Sequence, residues 1–125
     1  MAIYVIFLIF VIHYQNSVVV NAIIVITELK RVLVSQFGDN IKDVILFGSQ
    51  ASDKPSEDSD WDILILLAND YDWKYQNLVF DKAFDVGLKY QVLFDLHLLS
   101  VNEKNNTIRG KEPIFVNALQ KGIHA

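Results

Sequence analysis

Two aspartates separated by a single residue, Asp60 and Asp62, stand at the head of an apolar run, Asp60-Trp61-Asp62-Ile63-Leu64-Ile65-Leu66-Leu67. In an extended strand, side chains two apart share a face, so the two carboxylates converge while Trp61 points away. Carboxylates a few ångströms apart repel and raise each other's pKa. A hard divalent cation between them reverses that balance, and Mg²⁺ takes one or two carboxylates together with phosphate oxygens and water. Asp95 lies in a second apolar run, Val92-Leu93-Phe94-Asp95-Leu96-His97-Leu98-Leu99. A carboxylate buried there would need a partner or a metal. Placed on a strand beside 61–67, Asp95 reaches the same cation. Three carboxylates then make room for two metals, one on nucleotide phosphates and one on an attacking hydroxyl.

Gly48-Ser49 directly follows another apolar run, Val44-Ile45-Leu46-Phe47. A glycine there lets the backbone approach a ligand closely. The serine hydroxyl and the following N–H groups suit an anion. A phosphate-binding turn beside a metal-binding Asp-x-Asp is an arrangement for handling nucleotides. Two other motifs are excluded. Asp58-Ser59-Asp60-Trp61-Asp62 begins like a calcium loop, but Ile63 stands where that loop needs Gly and Asn69 where it needs Glu. No GxxxxGK[ST] occurs. His97 shares a face with Asp95; its expected role is a packed or rim histidine with a satisfied hydrogen bond, and contact with the site is the alternative.

The elements that must position these residues are legible in outline. Ser17 to Phe37 is helical in pattern, with Ile26, Leu29, Leu33 and Phe37 on one stripe. Gly38 supplies its stop. Residues 43–47 and 63–67 are short buried strands bounded by turn residues, and 91–99 is a third. Residues 73–90 form a helix whose Trp73, Asn77, Phe80, Phe84 and Leu88 fall at helical spacing, with Phe80, Phe84 and Tyr90 assigned to the core. Pro113 opens a last helix that runs to Lys121 and ends at Gly122. The order predicts an α+β (α/β sandwich) fold: a small central sheet with helices on its faces.

The chain has 125 residues, net charge −4, 52% hydrophobic residues and no cysteine. That length suits one domain with a real core. The negative charge argues against a nucleic-acid binder working by bulk electrostatics. Without cysteine there is neither a disulfide nor a thiolate metal site, and a cytoplasmic location is the default. Residues 1–27 hold no Asp, Glu, Lys or Arg. As a helix the first apolar run reaches only about 18 Å, against a hydrocarbon core of about 30 Å. A longer span would place His13 to Ser17 mid-membrane, so insertion is disfavoured. Residues 1–20 are expected to be an apolar arm or the product of a start assigned too far upstream, and 21–125 the domain.

Gly48-Ser49, ten residues, then Asp60-Trp61-Asp62 resembles the GS-x10-DxD signature of the DNA polymerase β-like nucleotidyltransferase superfamily. The preceding Val-Ile-Leu-Phe and following Ile-Leu-Ile-Leu-Leu are similar to the strands that flank that signature. The likeness is closest to the minimal nucleotidyltransferases and covers roughly residues 21–123, with Asp95 at the third acidic position and Lys111 to Ile123 resembling the terminal helix. The resemblance implies a twisted mixed sheet with helices packed on it, and a nucleoside triphosphate, usually ATP, bound with Mg²⁺. It implies that Gly48 and Ser49 hold the β/γ phosphates, that Asp60 and Asp62 ligate the metals, and that Asp95 acts on the acceptor hydroxyl as ligand or base. It also implies a HEPN-domain toxin as partner, silenced by AMP attached to a tyrosine, in a toxin–antitoxin system.

The chain departs from many relatives in one respect. Where they carry Arg and then Ala-Arg-Gly after Gly-Ser, this chain has Gln50, Ala51, Ser52 and Asp53. From residue 53 to 72 seven acids (Asp53, Glu57, Asp58, Asp60, Asp62, Asp70 and Asp72) face one base, Lys54. Lys104, Arg109, Lys111 and Lys121 lie further on, as pocket-bordering cations or as a solvated helix face. Two rival functions therefore stand beside the transferase antitoxin: an inactive binding module that masks its partner sterically, and a stand-alone transferase for a small molecule or an RNA end.

Overall fold

The computed structural model describes residues 17–51 and 60–125. The reading of residues 1–20 as an arm falls largely outside them. In chain order the elements are α1 (Ser17–Phe37), β1 (Ile41–Phe47), β2 (Trp61–Leu67), α2 (Trp73–Tyr90), β3 (Phe94–Ser100), α3 (Val101–Asn106), α4 (Pro113–Lys121) and β4 (Ile123–His124). Tight 3₁₀ turns occupy Gly38–Asn40, Gly48–Ala51 and Arg109–Lys111. The sheet order is β3-β2-β1-β4. β1 runs antiparallel to both neighbours, and β2 and β3 are parallel. This is the expected α+β architecture with a mixed sheet.

The central strands β1 and β2 bury both faces over most of their length, which explains their nearly unbroken apolar runs. On one face Val44, Leu46, Ile63, Ile65, Leu67 and Leu98 pack against α1 (Ala22, Ile26, Leu29, Leu33) and α2 (Val79, Ala83, Val86). On the other face Ile45, Phe47, Leu64, Leu66 and Leu99 pack against Phe115 and Ala118 of α4. Each fully buried Leu, Ile or Phe contributes about 1.5–3 kcal/mol relative to exposure. Glu28 of α1 also accepts from Arg31, at 2.8 Å, and from Lys89 at the end of α2, at 3.3 Å.

Two expectations need correction. The third strand begins at Phe94 rather than Gln91, because Gln91 takes the left-handed helix cap at φ 56° and turns the chain. The core face of α2 is not the whole aromatic stripe: Trp73, Phe84 and Leu88 are 68%, 53% and 62% exposed, while Phe80 and Tyr90 pack against the core partly buried, as expected. The small residues Ala83 and Gly87 are buried instead, and they let α2 lie close against the rest of the domain. Two elements had no sequence expectation. The helix α3 starts in a capping box, with Ser100 Oγ accepting from Glu103 N at 3.0 Å. The short strand β4 pairs Ile123 and His124 with Leu46 and Ile45.

Candidate active site

The antiparallel β1 ends at the same edge of the sheet where the parallel strands β2 and β3 begin. Every candidate residue is gathered at that edge. In the ladders Phe47 pairs with Asp62, and Asp62 pairs with Asp95. Paired positions present their side chains to the same face, here the α4 face that also carries Phe47, Leu64 and Leu99. A bond from Trp61 N to Leu93 O, 2.8 Å long, extends the β2–β3 ladder to the mouth.

Asp62 and Asp95 therefore converge as the sequence suggests, although Asp95 is not a buried mid-strand acid. It is the second residue of β3, and its side chain is 54% exposed. Burial, and then the hydrogen-bonding Asp95 carboxylate beside it, push the Asp62 carboxyl above its usual range. The charge of Asp60 pushes it the same way. Asp60 itself is exposed, one residue before β2.

Among the described residues, Asp62, Asp95 and His97 bring three metal-capable ligand atoms within 4.8 Å of one another. His97 lies in β3 with its ring 5.6 Å from that of Phe47 and 6.2 Å from that of Phe115. Its Nε2 is buried and has no hydrogen-bond partner. The nearest acid oxygen, Asp95 Oδ2, is 3.5 Å away, too far for a good N–H···O bond. A buried polar nitrogen without a partner costs about 1–3 kcal/mol. His97 is thus packed at the rim as expected, but its Nε2 lacks the expected hydrogen bond, and its place two residues after Asp95 was the signal for its contact with the site.

Gly48 lies against this pair. Its φ is +73°, and a Cβ built on it would collide with the Asp62 carboxylate. Glycine is required there both by conformation and by space. Ser49 is exposed and Gln50 buried within the turn Gly48–Ala51. Beside the turn a cavity of about 420 Å³ is lined by Phe47, Gly48, Ala51, Ile114, Asn117, Lys121 and Gly122. Lys121 is thus the tail cation that borders the pocket. Arg109 is occupied elsewhere: it donates to Leu98 O at 2.9 Å, pairs with Glu103 at 3.1 Å and covers the Phe115 ring at 4.8 Å.

The donor set fits a divalent cation. Two carboxylates held together against their repulsion and one orphaned imidazole nitrogen all gain from an ion among them. Residues 27–116 match the family model described as polymerase beta, nucleotidyltransferase. No curated protein matches the chain.

Proposed function

Because the chain belongs to the polymerase beta nucleotidyltransferase family, we propose that it is a minimal nucleotidyltransferase that moves AMP from ATP, with Mg²⁺, to a tyrosine hydroxyl of a HEPN-domain toxin and so serves as its antitoxin. Family membership carries nucleotidyl transfer in general. The acceptor, the nucleotide and the partner are the proposal. The observation that carries it is the in-register pair Asp62–Asp95 beside the conformationally obligatory Gly48.

In this reading Asp62 and Asp95 hold the cation, with Asp60 at the rim. A divalent cation held there would neutralise the triphosphate and stabilise the charge that develops during transfer. Gly48 and Ser49 seat the β/γ phosphates. The cavity flanked by Phe47 and Ile114 receives the nucleoside. Lys121 offers positive charge in place of the arginines missing after Gly-Ser. The acceptor oxygen bonds to the α-phosphorus as the bond to the bridging oxygen breaks. Pyrophosphate leaves, and the hydroxyl proton passes to Asp95 or to water.

The test is to incubate the protein with ATP, Mg²⁺ and a HEPN partner and to weigh the partner. A gain of one AMP supports the proposal. Asp62→Asn should lower transfer on the order of a hundredfold or more while the fold persists. Tight binding without any gain in mass supports the steric module instead. An Asp62→Asn protein that still transfers AMP removes the site assignment.

A further inference from the structure

The nitrogen in this acidic cluster changes the kind of ion the site should prefer. Magnesium seeks oxygen and gives up its water reluctantly, whereas imidazole suits first-row transition ions such as iron, nickel and zinc, and manganese, at the weak end of that series, still takes a nitrogen donor more readily than magnesium does. His97 is not a loose surface residue. Its ring is fixed between Phe47 and Phe115 on the inner face of the sheet's mouth. Nε2 is shielded from solvent, has no hydrogen-bond partner, and lies 3.5 Å from Asp95 Oδ2. Neighbouring donors around one ion at about 2.1 Å lie roughly 3.0–3.5 Å apart, so that spacing is one a shared ion accommodates and a direct hydrogen bond does not.

We propose that His97 gives its Nε2 to the cation held by Asp62 and Asp95, and that this two-oxygen, one-nitrogen set makes the site prefer Mn²⁺ to Mg²⁺. The inference rests on the reading above that the acid pair holds a cation, and it revises which cation. Ligation requires the neutral ring with its proton on Nδ1. The aromatic neighbours then act as positioning residues: they hold the ring plane so that the Nε2 lone pair meets the acids. The strand period is the cause. A histidine two residues after Asp95 must share its face, and no loop rearrangement is needed to bring it in.

The test loads the full-length protein with Mn²⁺ alone and reads the ion by pulsed electron paramagnetic resonance. The wild type is expected to show coupling from a directly bound imidazole nitrogen. His97→Phe, which keeps an aromatic ring between Phe47 and Phe115, should lose that coupling. The same variant should bind Mn²⁺ about tenfold or more weakly by calorimetry and Mg²⁺ nearly unchanged, so the preference collapses. Mn²⁺ bound through Asp62 and Asp95 without nitrogen coupling overturns the proposal and leaves the acid-pair reading standing. A His97→Phe protein that keeps both coupling and preference overturns it as well. A wild type that binds neither ion overturns this proposal together with the acid-pair reading.

Discussion

At the scale of single residues, Asp62 carries an electrostatic cost that a cation relieves. Its folded-state pKa is raised from the ordinary 3.8 by burial and by Asp95. The folded form therefore holds a proton more tightly than the unfolded chain does, and the resulting stability is full at acid pH and lost as pH rises through the raised value. Without metal, Asp62→Asn should melt above the wild type at neutral pH, with the gap closing below the ordinary Asp range. Adding a divalent cation should raise the melting temperature of the wild type only. A scanning-fluorimetry pH series, run with and without metal, checks both. Gly48→Ala faces two obstacles, a positive φ and the Asp62 carboxylate where its methyl would go. It should cost about 1–3 kcal/mol in denaturant unfolding and weaken metal binding in calorimetry. The convergence of Asp62 and Asp95 was legible because each acid stands in an apolar run that reads as a strand, and placing the two strands side by side brings the acids together. The exposure of Asp95 was not, because the sequence leaves open where a strand begins inside an apolar stretch.

At the scale of elements, α2 shows what periodicity leaves undecided. Two stripes in this helix have helical spacing. One is bulky (Trp73, Phe80, Phe84, Leu88), and the other is centred on Val79, Ala83 and Val86. Size favours the first, but a helix that must lie close to its neighbour needs small side chains at the contact, and Ala83 and Gly87 provide them. Phe84→Ser should therefore change stability by no more than about 0.5–1 kcal/mol. Ala83→Leu, one residue away, should cost about 1–3 kcal/mol through overpacking. Urea unfolding of the two variants decides between the stripes. By contrast α1 and α4 were readable from end to end, since a glycine follows the first and a proline opens the second. The capping box that starts α3 was also present in the sequence as Ser100 and Glu103. Only six residues follow it, too few for a periodic signal to mark the helix.

At the scale of the molecule, one sheet divides two apolar layers, and neither layer is independent of the other. Adjacent residues of β1 and β2 project into opposite layers, so the loss of one layer strips a face from every central strand. Phe115→Ala removes a side chain that is 2% exposed from the smaller layer. It should cost about 3–5 kcal/mol, and circular dichroism and tryptophan fluorescence should report one coincident transition. Among the described residues no helix is long and apolar enough to cross a membrane.

The acids at positions 62 and 95 sit opposite one another on neighbouring parallel strands. Such strands run about 4.7–4.9 Å apart, a gauge set by backbone hydrogen bonds and not by loop length. Neither Asp62→Glu nor Asp95→Glu can be accommodated by easing the strands apart without unzipping the ladder. An extra methylene would carry the carboxylate past its counterpart, so even a charge-preserving exchange at this edge should miscalibrate the receptacle for ionic radius.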